Sequence, residues 1–264
     1  MRSLALIKLW FIKALEYRTE LLVWIAITLF NTLILISIWL SIFRGSIEIR
    51  GLQMTQVIQY FLLATIINSI TASHFESWRS REIREGKIDH YLTKPIAYPL
   101  QIFFADIGNR LFYMCLIVPL TLLMYLGCMY FFKINLPTVS LGSFFLFLFF
   151  LGAGYMIEFS LAMIAVLLSF WFEGAEGLEH FKWITITLLS GYMIPLPLMP
   201  SWLQHVVNAL PLKYMYAVPI GILQSHQSIQ LFDVAYLGGF LMFLYLFQKW
   251  LWGKAVKKYS SAGG

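Results

Sequence analysis

Charge is scarce in this chain. Asp, Glu, Lys and Arg make up 12% of its 264 residues, about half the roughly 25% of soluble domains. A water-soluble globule is excluded, because it could not cover so much apolar surface. Disorder is excluded too, since disordered chains are polar and poor in aromatics. Cysteine is nearly absent. Cys115 and Cys128 both lie in one apolar run, too few for a disulfide framework or a metal-ligand cluster. No Gly-rich phosphate loop ending in Gly-Lys-Ser/Thr occurs, so the chain is not expected to hydrolyse nucleotide itself. No zinc-protease helix motif and no Gly-x-Ser-x-Gly elbow occur, and the five histidines, at 74, 90, 180, 205 and 226, are scattered. Nothing names an enzyme or a resident metal. What the chain does have is 60% hydrophobic and 17% aromatic residues and a mean hydropathy of +0.76. It reads as an all-α integral membrane protein of several spans. Its aromatics read mainly as belt and packing residues.

The net charge is +6. In a soluble protein this would suggest nucleic acid. Here the positive-inside rule accounts for it better, because it also explains where the charges fall. Six spans, 21–43, 51–75, 108–132, 141–172, 180–199 and 231–252, place both termini on one side with 76–110 and 173–182. That side then holds 15 of the 19 Lys and Arg residues. Only Arg44, Arg50, Lys133 and Lys213 fall on the other. Splitting either ambiguous middle stretch would send the C-terminal lysines outward. Both termini are therefore expected in the cytoplasm. The prolines at 195, 197, 200, 211 and 219 argue against a further regular helix after the fifth span. They suggest a partly buried outer hairpin, 200–229, which is tolerated only within protein or a water-filled cavity. No cleavable leader is evident, 253–264 reads as a cytoplasmic tail, and no soluble domain is expected within the chain.

Residues 1–20 carry Leu4, Ile7, Trp10, Phe11, Ala14 and Leu15 on one helical stripe. This reads as an amphipathic helix along the cytoplasmic interface, or as a plain basic anchor. The loop 76–110 is the most informative segment. Charges of both signs alternate from Arg79 to Asp89, then Ile88, Tyr91 and Leu92 fall on one face of a short helix. Gly86 is a natural hinge, and Lys94-Pro95 ends the helix, because the residue before proline is pushed out of helical space. The result is a small knob at the membrane face. A partner cleft could hold its apolar side while its charges fix register. The other reading is an ordinary solvated loop.

The run Arg84-Glu85-Gly86-Lys87-Ile88-Asp89-His90-Tyr91-Leu92-Thr93-Lys94-Pro95 resembles the Gly-x-Leu-Asp-x-x-Leu-x-(Lys/Arg)-Pro signature of ABC-2 type permeases. Ser190-Gly191-Tyr192-Met193-Ile194-Pro195-Leu196, then Met199-Pro200-Ser201-Trp202-Leu203, then Leu210-Pro211-Leu212-Lys213-Tyr214 resemble that family's motifs after the fifth span. Phe170-Trp171 and Glu16-Tyr17-Arg18 also fit, so the resemblance runs end to end. Met199, Leu212 and Ile88 depart from it by apolar swaps.

The resemblance implies a six-span subunit of the type V exporter kind. Such a subunit pairs with a second permease, identical or related, and with two separate ABC ATPase subunits that hold ATP and Mg. It implies a coupling helix at the knob, through Arg84, Glu85, Gly86, Lys87, Ile88, Asp89, Tyr91, Leu92, Lys94 and Pro95. It also implies a re-entrant hairpin, 195–225, that forms an outer gate through Pro195, Pro197, Pro200, Trp202, Pro211 and Tyr214. Export across a bacterial plasma (inner) membrane is likewise inherited from it. Cargo and second permease are left open.

Glu158 is the one charge between Lys133 and Glu173. A charge at a helix centre costs roughly 2.5–3.5 kcal/mol on insertion scales. It is expected to line the translocation path or a dimer contact, or else to pair with a basic residue near the cytoplasmic end. Gly152 and Gly154 precede it and permit close helix approach or a bend. The competing functions are an ATP-independent transporter or channel, which would show repeats or several intramembrane charges, a polytopic lipid enzyme, and a scaffold.

Overall fold

The computed structural model describes residues 2–14, 18–44, 48–133, 139–172, 175–224 and 229–259. The described residues are mostly helical, with a minimal hairpin of β1 (Glu48–Ile49) and β2 (Leu52–Gln53). Among the described residues, five stretches are long and apolar enough to cross a membrane. They comprise α2 (Arg18–Ile42), α3 (Met54–Thr71) with its continuation α4 (Glu76–Arg84), α6 (Tyr98–Phe132), α7 (Leu141–Leu168) and α11 (Leu231–Lys258). Helix α2 keeps most of its apolar side chains outward, Trp24 and Phe30 among them, as a lipid-facing helix would. Helix α7 does the reverse from its tenth residue onward, where Phe150, Ile157, Ala162, Met163 and Val166 are fully enclosed.

The expected fifth span differs from its sequence reading. In place of 180–199 there is α8 (Ala175–Leu189), of 15 residues, about 22 Å at the helical rise. It ends where Ser190, then Gly191 at φ 90°, then Pro195 break the ladder. Helix α8 packs on α7 and α4. Lys182 on α8 meets Ser73 just beyond the end of α3, and Gly191 accepts a hydrogen bond from Tyr60 in its first half (2.6 Å).

Other boundaries shift for local reasons. Helix α6 starts at Tyr98 rather than 108, with Pro99 in its first turn, a position that suits proline. Helix α11 continues to Lys258, so the first part of the expected tail is helical. The N-terminal helix α1 (Arg2–Ala14) packs chiefly on α6. Phe11 meets Phe112 edge-on, and Trp10 meets Trp78. Leu15, Glu16 and Tyr17 lie outside the described residues.

Two apolar cores stack along the bundle. One gathers Val57–Ile67 of α3, Tyr125 of α6, Phe150–Ile157 of α7 and Tyr214–Ile222 beyond α8. The other gathers Phe75, Ile88, Tyr98, Ile102, Phe159, Val166, Leu251 and Ala255. Polar groups occupy the level between them.

Candidate functional site

The knob is built from the end of α4 and the short helix α5 (Asp89–Leu92). Gly86 has φ 71°, the left-handed conformation that favours glycine. Its N–H donates to Ile83 O (3.2 Å), and that of Lys87 donates to Glu82 O (2.9 Å). This pair of bonds is a Schellman C-cap, which satisfies carbonyls that the helix end would leave open. Ile88 is 1% exposed and belongs to the lower core. Tyr91 stacks edge-on against Tyr98. The Gln101 amide laces α5 to α6 by donating to Tyr91 O (2.9 Å) and Ile96 O (2.6 Å). Tyr259 donates to Gly86 O (3.2 Å).

The apolar face therefore turns inward at Ile88 and Tyr91, against the expectation that it meets a partner; only Leu92 stays exposed. The outward surface carries Arg81, Arg84, Glu85, Lys87, Lys94 and Pro95, with Asp89 half-exposed. Glu85 and Lys87 form a surface ion pair (2.5 Å). The Lys87 hydrogen bond holds the Glu85 carboxyl below its ordinary range, and Glu85 raises the Lys87 ammonium.

Arg79, 2% exposed, joins this knob to α1 and α4. Its guanidinium lies over Trp78 (4.3 Å) and Trp10 (5.2 Å). It pairs with Glu82 (2.7 Å) and donates to Tyr91 Oη (2.6 Å). Cation–π contact and ion pairing compensate each other's desolvation here.

The level between the two cores is a layer of charges drawn from four helices. Lys182 Nζ of α8 pairs with Glu158 Oε1 of α7 (2.8 Å) and with Glu76 Oε1 of α4, and donates to Ser73 O (2.6 Å). Arg110 and Asp106 of α6 pair one turn apart (3.3 Å). Both bond Ser73 Oγ, and Tyr155 donates to Asp106 Oδ2 (2.9 Å). Ser77 donates to Glu179 of α8. Glu158 is thus enclosed within one chain, 4% exposed, and the pairing alternative is the one the structure shows. Its basic partner is Lys182.

The hairpin occupies the opposite end of α3. A 3-10 turn at Leu196–Leu198 leads into α9 (Ser201–Ala209), a second such turn at Pro211–Tyr214, and the buried α10 (Ala217–Leu223). Arg50 donates to Met199 O (2.6 Å), Gln224 to Gln56 O (3.0 Å), and Tyr214 to Asp233 Oδ1 (2.7 Å). Tyr214 also stacks on Phe150. Gly154 lets α7 pass close to the Met215 backbone, whereas nothing approaches Gly152. Pro195 and Pro211 are buried; Pro197, Pro200 and Trp202 face outward. Ser225, the last residue of the expected hairpin, lies outside the described residues.

The family model of the ABC-2 family transporter proteins matches residues 8–263. The chain belongs to the ABC-2 family of transporter proteins. With its apolar helices, this makes it a multi-pass membrane protein and a transporter permease. A search of curated proteins gave no match. ABC-2 permeases generally pair with ABC ATPase subunits. In this ABC-2 chain the two motif clusters recognised in the sequence fall at opposite ends of α3 and α4. The knob is at the Arg84 end and the hairpin at the Met54 end.

The charge layer is what sequence reasoning missed. Glu76, Asp106, Arg110 and Lys182 each stand at the cytoplasmic edge of an expected span and read as loop charges. The available signal was the i,i+4 spacing of Asp106 and Arg110. The convergence on Ser73 and Glu158 comes from four segments far apart in sequence.

Proposed function

We propose that this chain is the transmembrane permease subunit of an ATP-driven ABC exporter. It works with a second permease, identical or homologous, and two copies of a separate ABC ATPase that carries ATP and Mg. It is not itself an enzyme. In this reading the chain crosses a bacterial plasma membrane six times, α8 with the turn after it being the fifth crossing. Both termini and the knob are cytoplasmic.

The observation that carries the reading is the knob's construction. A lever, α4, ends in a glycine turn. The turn's apolar residues are anchored in the chain's own core, and its outward surface is mainly basic. Such a piece transmits force, because Ile88, Tyr91 and Gln101 fix it to α6 while α4 fixes it to α3. Its free surface fits a groove on the ATPase that offers carboxylates to Arg81, Lys87 and Lys94. Shifting a two-state path from 1:99 to 99:1 takes about 5.5 kcal/mol of differential binding, within reach of a nucleotide cycle. The hairpin 195–225, with its prolines and Trp202, would close the outer end of the path.

The test is affinity purification of the tagged chain. A P-loop ATPase should copurify, and reconstituted vesicles should transport only with ATP. Full-rate transport by the purified chain alone would overturn the proposal.

The charge layer favours a second reading, an ATP-independent transporter, because ionisable groups inside a membrane domain mark ion or proton pathways by default. The same vesicle assay separates the two.

A further inference from the structure

We propose that Lys182 is a positioning residue for coupling, a latch that carries the lever's movement across to α8 and thence to the outer hairpin. The inference rests on the exporter reading above and adds a route to it.

The α3 helix stops at Thr71 and α4 starts at Glu76, so the chain between knob and span contains a break at 72–75. A break leaves backbone carbonyls without intrahelical partners. Lys182 Nζ covers one of them, Ser73 O, at 2.6 Å. The same ammonium contacts Glu76, the first residue of the lever, and Glu158 on α7 (2.8 Å). Lys182 thus touches both the break and the lever beyond it, from an element that belongs to neither. A second α4–α8 contact, from Ser77 to Glu179, lies one residue further along the lever.

Helix α8 leads directly to the outer end. Seven residues after Lys182 it reaches Leu189. There Ala217 N–H donates to Ser190 O (3.2 Å) and Tyr60 to Gly191 O (2.6 Å). Displacement of α8 therefore moves the base of the hairpin without passing through α6.

The cluster is also suited to two arrangements. One ammonium serves two buried carboxylates, Glu76 at 0% and Glu158 at 4% exposure, and Glu76 Oε2 has no hydrogen-bond partner. When the lever tilts, Lys182 can release Glu76 and keep Glu158, so its own charge stays compensated. Packed interiors change between discrete arrangements of this kind rather than deforming continuously. Removing the charge on the lever side should then leave the fold intact and cut the route.

The test uses the permease assembled with its ATPase in vesicles. The background is Cys115→Ser and Cys128→Ser, with spin labels at Val206→Cys on α9 and Phe131→Cys at the end of α6, both exposed positions. ATP should change the label distance in this background. Glu76→Gln should bind the ATPase and melt like the parent. It should fail to show the distance change, and transport per ATP hydrolysed should drop by about tenfold or more. Lys182→Arg, which retains the cation, should restore most of the coupling that Lys182→Met loses. A stably folded Glu76→Gln protein with parental distance change and transport per ATP overturns the latch alone. Absence of any ATP-dependent change in the parent overturns the exporter reading and the latch with it.

Discussion

Removing the Lys182 ammonium leaves Glu76 and Glu158 as buried carboxylates without their counter-charge, and breaking a buried pair in this way costs about 3–5 kcal/mol. Replacing every member by a neutral group of similar size avoids that penalty, because no ion is left to desolvate. Lys182→Met should therefore lower the melting temperature of the detergent-solubilised protein. The triple variant Glu76→Gln, Glu158→Gln, Lys182→Met should recover most of the loss. A triple variant no more stable than the single one would mean that the charges hold the helices together by themselves. Gly86 is a separate case, since its constraint is backbone geometry. An L-residue at φ 71° costs roughly 1–2 kcal/mol, and proline, locked near −65°, cannot adopt it. Gly86→Ala should weaken ATPase copurification modestly and Gly86→Pro should abolish it. The spans should still insert, as read by protease protection.

Helix α1 depends on one close approach. A Cβ at Gly108 would stand 2.6 Å from Ile7 O and 2.9 Å from Trp10 Cβ, so a side chain there must push α1 off α6. That would also unseat Trp10 from Arg79, whose guanidinium it covers. Gly108→Leu should raise amide hydrogen exchange across Arg2–Ala14 while leaving that of α7 unchanged. Elements of this kind show how far the sequence was readable. Runs of apolar residues marked α2, α3, α7 and α11 to within a few residues, because hydrophobic length alone sets them. The knob's hinge and stop were readable from Gly86 and Pro95, which act on local backbone. The inward turn of Ile88 and Tyr91 was not, because an apolar face says only that something covers it. Here Tyr98 of α6 lies edge-on against Tyr91, and Ile88 joins the core that α6 and α7 also line. Glu158 was visible as an anomaly. Its partner was not, since Lys182 reads as one more inner-face charge until α8 is laid along α7.

For the whole molecule, the charge balance that oriented the chain mixes two populations. Arg79, Arg110 and Lys182 are paired inside the bundle, while Arg81, Lys87 and Lys94 stand on the knob's open surface. The side expected to be inner still holds more Lys and Arg than the other without the first three. Only the open charges can steer a partner, and exposed charges are screened over a Debye length of about 8 Å at physiological salt. ATPase association should therefore weaken as salt is raised, mainly through the on-rate, and reversing Lys87 and Lys94 to Glu should remove most of that dependence. The response to pH follows from the signs of the two shifts. Glu85 is held below the ordinary carboxylate range, so its charge is lost only as pH falls through that lowered value. Lys87 is raised above the ordinary ammonium range, so its charge is lost only as pH rises through that higher value. Between about pH 7.5 and 9 both stay charged, and the association rate measured at fixed ionic strength should be flat. A rate that changes severalfold across this window, with the salt dependence intact, would place the governing charge on the ATPase rather than on the knob.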